Sequence, residues 1–254
     1  MNDEFDSMGI SSALKAFFGG VGFVLTTPSV WPWAAVPGAI MLILLCGVTG
    51  FGWWGAAELL ANLFGSQRDT WGAIGYWTSL IVAGAIVVLI AMLAALTLAQ
   101  PLAGFALERV AHAQEYKLTG YRRPAMSYFA SLWLNLRTVA FAVVLGGSAL
   151  TLLFLVNLFY PPAAVVTVPL KFLVCSWIFA WDFIDYPLSL RGLGVRARLR
   201  WVFRHFGAFT VFGALWATVC FVPGIALVLL PMGVAGATRL LLQDDPGRTR
   251  NDRE

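Results

Sequence analysis

Four long stretches of this chain contain no Asp, Glu, Lys or Arg. They cover residues 16–57, 70–107, 138–170 and 205–238. A helix needs roughly 20 mostly apolar residues to cross a bilayer, and uncharged stretches of this length have little other use. Charged residues make up only 12% of the 254 residues, about half of the share of roughly 25% that is usual in soluble domains. We therefore predict one all-α, polytopic membrane domain over residues 1–254, which combines membrane-crossing helices with helical hairpins that penetrate partway.

Residues with catalytic or metal-binding potential are scarce. The two histidines, His112 and His205, lack the spacing of a metalloprotease motif and have no cysteine nearby. The three cysteines lie inside apolar stretches without a CxxC pair, which is typical of small buried hydrophobic residues. The sequence also lacks a phosphate-binding loop and a nucleophile elbow. We therefore expect no enzymatic activity, no cofactor and no metal site.

Basic residues are concentrated in three zones, at 108–137, at 182–204 and in the tail from residue 239. By the positive-inside rule, we expect these zones and both termini to lie on the cytoplasmic side, an N-in and C-in arrangement. Nucleic-acid binding is the rival explanation of a basic zone. We expect no nucleic-acid partner, because membrane orientation already accounts for the charges.

The order of apolar and basic stretches predicts how the chain is divided. Pro28 and Pro32 are expected to break the chain at the bilayer surface before the first span. The predicted segments are an interfacial helix over 11–30, two spans within 36–99, a cytoplasmic segment over 101–137, a hairpin over 138–181, a basic interfacial helix over 191–206, and a re-entrant hairpin with the tail over 205–242.

The basic interfacial helix has two different faces. Apolar residues fall on one face, and Arg196, Arg200 and Arg204 fall on another. Such a helix suits a bilayer with an anionic inner leaflet. Its arginines are interpreted either as anchors of the topology or as part of a gating or lipid-sensing device.

The last uncharged stretch, 205–238, has an informative length. As one helix it would reach roughly 51 Å, which is too long for one crossing, while two full crossings need about 40 residues. Pro223-Gly224 divides the stretch. We therefore predict a hairpin that turns inside the membrane. Because exposed backbone in lipid is costly, its apex needs cover from other helices, a partner subunit or a wet cavity, and we expect a homo-oligomer.

Ionisable residues near an apolar stretch are candidates for function. Asp182 and Asp185 are three residues apart and share a helix face, and Pro187 is expected to stop that helix. One interpretation pairs these carboxylates with Arg191, Arg196 or Arg198; the other makes them a polar gate or pathway.

Several of these residues belong to a longer pattern. Trp177 followed by the run Asp182-Phe-Ile-Asp185-Tyr186-Pro187 resembles the signature of the CysZ sulfate-permease family, which shares its domain with the eukaryotic etoposide-induced membrane proteins. The resemblance extends upstream to the segment that ends at Glu108. Downstream it includes Pro223 and a block that begins at Pro231 and ends with Gly236, Ala237 and Thr238.

The resemblance implies a helical bacterial inner-membrane protein that moves a small inorganic anion, sulfate, into the cell. The family's turn before the first span carries an arginine where this chain has Trp31, so we expect the hydroxyls of Thr27 and Ser29 to contact the anion. Lys171 either faces a wet path and supplies the missing charge, or extends its ammonium to an interface. The alternative function, taken from the eukaryotic branch, is a non-transporting membrane scaffold or biogenesis factor.

Overall fold

The computed structural model describes residues 9–64, 70–121, 128–220 and 225–244. Short 3-10 turns at Pro28–Val30 and Pro161–Ala163 join helices within this part of the chain, which contains no strand. The all-α prediction is therefore confirmed. The helices are α1 (Ile10–Thr26), α2 (Trp31–Phe64), α3 (Thr70–Thr119), α4 (Tyr128–Phe159), α5 (Ala164–Leu190), α6 (Val195–Arg204), α7 (Phe206–Cys220) and α8 (Ile225–Gln243).

Among the described residues, three stretches of helix are long and apolar enough to cross a membrane, and they lie at Pro28–Leu63, Trp71–Ala95 and Pro161–Leu190. The pair α6 and α7, bent by 93° at His205, qualifies only if it is counted as one broken span. The predicted membrane-protein class is thus confirmed. Helices α1 and α7 have 17 and 15 residues, so at 1.5 Å per residue they are shorter than a hydrocarbon core of about 30 Å.

Two prolines do not interrupt the chain where the sequence-based expectation placed a break. Pro187 does not stop α5, which continues to Leu190. The chain then turns at Gly192, whose φ of +65° closes a Schellman turn with Leu193 N–H bonded to Leu188 O. Pro32 does not break the chain either. It is the second residue of α2, where its missing N–H costs no helical hydrogen bond.

The chain forms two compact units, of which one comprises Val36–Ala103. In this unit α2 meets the first half of α3 through small residues. A Cβ atom on Gly52 would lie 2.7 Å from Val87, and one on Gly84 would lie 2.6 Å from Trp53. Glycines allow two apolar helices to approach closely, which is the usual basis of packing in membranes.

The other unit comprises Met1–Ala35 and Gly104–Glu254, and its core lies where α1, α5, α7 and α8 pack together. Phe183, Phe212 and Trp216 meet there edge to face, with ring centroids 5.5 to 6.5 Å apart. All three side chains are buried. Aromatic rings in this arrangement contribute beyond their buried area.

The pairing of α1 with α8 explains the block that follows Pro231. A Cβ atom on Gly20 would lie 2.4 Å from Met232 O and 2.5 Å from Gly236 N, so the two backbones touch. Pro231, Ala237 and Thr238 are buried beside this contact, and Thr238 Oγ1 donates to Val234 O of its own helix. These residues therefore build the core of the unit. Pro223 lies outside the described residues, and so does the predicted hairpin apex.

Candidate functional site

An open cavity of about 770 Å³ lies between the turn that joins α1 to α2 and one face of α3. The turn contributes the hydroxyl side chains of Thr27 and Ser29, and α3 contributes Arg109 and Lys117. All these residues belong to the same compact unit. The structure therefore brings both predicted hydroxyls to one place and adds two cations to them. The other lining residues are Phe23, Val30, Trp33, His112, Ala113 and Tyr116.

Lys117 links α3 to the turn. Its Nζ donates a hydrogen bond of 3.2 Å to Thr27 Oγ1 and lies 5.1 Å from the ring centroid of the buried Phe23. Since Thr27 Oγ1 is the acceptor in this bond, the hydroxyl hydrogen can point toward a ligand in the cavity. An ammonium beside a hydroxyl donor is suited to an oxyanion.

Arg109 lies two turns before Lys117 on α3. Its Cζ is 4.7 Å from the ring centroid of Trp33, a cation–π contact that orients the guanidinium plane. Trp33 also packs edge to face against Phe105, with centroids 6.5 Å apart. The aromatic wall thus holds one cation in place without neutralising its charge.

The turn itself is fixed by short-range bonds. Val30 N–H donates to Thr27 O at 3.0 Å, which forms the 3-10 turn that begins at Pro28. The indole of Trp31 donates to Val24 O at 2.8 Å. Trp31 therefore ties the turn back to α1.

The end of α3 is fixed in a similar way. Gly120, with φ of +72°, donates its N–H to Tyr116 O at 2.8 Å and ends the helix just after Lys117. A residue with a side chain is strained in this backbone conformation.

Arg109 and Lys117 were not predicted to line a site, because the positive-inside rule already accounted for their charges. A signal for them was present in the sequence. Positions 109, 112, 113, 116 and 117 follow the i, i+3, i+4, i+7, i+8 spacing of one helix face, and they place Arg, His, Tyr and Lys on it. Two cations, a histidine and a tyrosine on one helix face offer several hydrogen-bond donors to an anion.

Lys171 lies elsewhere. It is a half-buried residue of α5, and its Nζ is 5.9 Å from the ring centroid of Phe154 on α4. It is not among the described residues that line the cavity of Thr27 and Ser29. The structure therefore does not bring the three predicted anion-contacting residues together.

Asp185 pairs with Arg198, as the first interpretation of the carboxylates predicts. Arg198 is fully buried, and its Nη1 contacts Asp185 Oδ1. Its Nη2 donates to Ser189 Oγ at 3.0 Å and its Nε to Leu193 O at 2.7 Å. Burial lowers the pKa of the Arg198 guanidinium to about 10, which leaves it charged at neutral pH. This network fixes the start of α6 on the end of α5.

The remaining motif residues occupy the same unit. Trp177 donates its indole N–H to Thr210 Oγ1 at 3.0 Å and so joins α5 to α7. Tyr186 is buried, while Glu108 and Asp182 are half-buried. The described arginines of the outer face of α6 are exposed; they are Arg196, Arg200 and Arg204.

Comparison with known proteins places the chain in a family. The family model described as "Sulfate transporter CysZ/Etoposide-induced protein 2.4" matches residues 16–231, a range that contains Thr27, Ser29, Arg109 and Lys117.

Curated relatives match over shorter ranges. The sulfate transporter CysZ of Pseudomonas paraeruginosa is 33% identical over 94 residues, which are 37% of this chain and 38% of that protein. The CysZ protein of Pseudomonas fluorescens strain SBW25 is 34% identical over 80 residues, which are 32% of this chain and 31% of that protein. The CysZ protein of Pectobacterium atrosepticum is 37% identical over 71 residues, which are 28% of this chain and 26% of that protein. The chain thus spans less than two fifths of the length of these relatives. Because the family model covers most of the sequence, the chain belongs to the sulfate transporter CysZ and etoposide-induced protein 2.4 family of membrane proteins.

Proposed function

We propose that this protein is a CysZ-like permease or channel that carries sulfate across the bacterial inner membrane. The observation that carries the proposal is the cavity in which Thr27 and Ser29 meet Lys117 and Arg109. Sulfate is a dianion that accepts hydrogen bonds and donates none. Two cations and two hydroxyls supply the complementary donors, and the cations replace the arginine that is missing at Trp31. The CysZ names of the relatives agree with this substrate.

The rest of the path is assigned to α5. Lys171 lies in the candidate span Pro161–Leu190, and we assign it a role in translocation after the anion leaves the cavity. A charge within a span is costly when it faces lipid, and such residues commonly mark an ion path. The proposal also includes an N-in, C-in orientation, a homo-oligomer and an inner leaflet rich in anionic lipid.

The decisive experiment is uptake of radiolabelled sulfate into proteoliposomes that contain the purified protein. Uptake above empty liposomes and competition by unlabelled sulfate are expected. Arg109→Met should raise the KM for sulfate, whereas Arg204→Met, which removes an exposed cation on α6, should leave it unchanged. Liposomes that take up sulfate no faster than empty ones would contradict the proposal and favour the scaffold function.

A further inference from the structure

A second open cavity, of about 510 Å³, lies in the same unit on a different set of helices. Side chains from α4, α5, α6 and α7 form its walls, and none of its described lining residues is charged. We call it the α6 groove. The lining residues that matter below are Ala149, Leu199, Phe203 and Phe206.

The α6 groove opens beside an exposed apolar edge. Phe203 is 72% exposed and Phe206 is 43% exposed, although both side chains line the groove. Exposed aromatic rings on an amphipathic helix are typical of the boundary between lipid headgroups and acyl chains. An apolar chain that enters the groove would cover both rings.

Positive charge borders the groove on one side. Arg196 precedes Leu199 by three residues, and Arg200 precedes Phe203 by three, so each arginine is a surface neighbour of a lining side chain on α6. Both arginines are exposed. The opposite side of α6 is held to α5 by the buried Arg198. Arg196, Arg200 and Phe203 therefore remain together on the exposed part of the helix.

We infer that the α6 groove binds one anionic phospholipid, with an acyl chain among the apolar walls and the phosphate headgroup on Arg196 and Arg200. An apolar slot with cations at its edge matches the two chemically different parts of this molecule. A zwitterionic phospholipid offers the same chain without net negative charge, so the arginines set the preference. A polypeptide segment from a second copy is the rival occupant of the slot, but it carries no phosphate group to meet the arginines.

Photocrosslinking tests this assignment in vesicles of equal parts phosphatidylglycerol and phosphatidylcholine. Phe203→benzoylphenylalanine reports on the groove. Phe51→benzoylphenylalanine on α2 is the matched control, because Phe51 is 75% exposed against 72% for Phe203. We expect the ratio of phosphatidylglycerol to phosphatidylcholine adducts at Phe203 to exceed that at Phe51 by roughly 25-fold, and Arg196→Gln or Arg200→Gln to lower it by roughly fivefold each, the contribution of one cation near an anionic surface.

Further variants separate the contribution of the headgroup from that of the acyl chain. Lys15→Gln removes an exposed cation on α1 and should leave the adduct ratio unchanged. Ala149→Phe fills the groove and should reduce the total lipid adducts at Phe203. If that variant does not elute as a folded protein, Leu199→Trp narrows the groove from the opposite wall.

Several results would overturn the assignment. Equal adduct ratios at Phe203 and Phe51 would remove the anionic preference. An unchanged ratio in Arg196→Gln and Arg200→Gln would remove the headgroup site. Unchanged lipid adducts in a folded groove-filling variant would place the chain outside the groove, and adducts between two protein chains at Phe203 would assign the groove to a second copy. None of these measurements requires sulfate.

Discussion

At the scale of single residues, the hydrogen bond from Lys117 to Thr27 joins two residues of the proposed anion site. Lys117→Met removes a charge-assisted donor worth about 1.5 kcal/mol, so we expect the KM for sulfate uptake to rise about tenfold with little change in the maximal rate. Lys117→Arg should retain part of the affinity. Arg204→Met serves as the control for loss of an exposed cation. A KM for Lys117→Met equal to that of the unmodified protein would exclude Lys117 from the binding site.

Lys171 gives a different prediction, because it lies on α5 against Phe154 and outside the cavity. If it lines the path, Lys171→Met should lower the maximal rate of sulfate uptake at least about tenfold and leave the KM nearly unchanged. Lys171→Arg should preserve part of the rate. The measurement is initial uptake over a range of sulfate concentrations. Normal transport by a folded Lys171→Met protein would mean that Lys171 lies outside the path and only extends its ammonium to the membrane interface.

At the scale of helices, the buried pair of Arg198 and Asp185 joins α6 to α5. Arg198→Met leaves a buried carboxylate without its partner, which should lower the free energy of unfolding by about 3–5 kcal/mol. The double variant Asp185→Asn, Arg198→Met should recover part of that loss, because it leaves no unpaired charge. Thermal unfolding in detergent, with Arg200→Met as the exposed control, measures both effects. An Arg198→Met protein as stable as the Arg200→Met control would show that the ion pair does not stabilise the contact between α6 and α5.

The contact between α1 and α8 depends on a glycine. In Gly20→Ala the added Cβ would meet backbone atoms of Met232 and Gly236, so the helices must separate, at a cost of about 1–3 kcal/mol. Gly22→Ala, two residues later, is the matched control, because its Cβ would have no neighbour within 4 Å. We expect a lower thermal midpoint for Gly20→Ala and a normal or slightly higher one for Gly22→Ala. Equal midpoints would indicate that the close approach does not contribute to stability.

At the scale of the whole molecule, α3 connects the two units and offers a test of orientation. Its 50 residues span roughly 75 Å, more than twice a hydrocarbon core of about 30 Å. Trp71 and Leu118 are exposed near its two ends. After replacement of Cys46, Cys175 and Cys220, Trp71→Cys should react with an impermeant maleimide added outside intact cells, and Leu118→Cys should react only after lysis. The opposite labelling pattern would reverse the proposed topology.

The sequence by itself determined the class of the protein and its helical content. Long uncharged stretches have few stable alternatives to helices in a bilayer, because every backbone N–H and C=O must be bonded within the segment. This local requirement explains why the all-α fold and the membrane-protein class were predictable. The motif residues also identified the family, although most of the described ones act in packing rather than at the cavity.

Only the tertiary structure decided which charged residues act together. Lys117 and Thr27 are 90 residues apart and meet because α3 passes the turn between α1 and α2. Arg198 shares a short helix with Arg196 and Arg200, yet it alone is fully buried, since only its side of α6 faces Asp185 and Ser189. The lysine and the three arginines each carry one positive charge. Their roles differ because long-range packing determines which cation meets an open cavity, which meets a buried carboxylate and which remains at the surface.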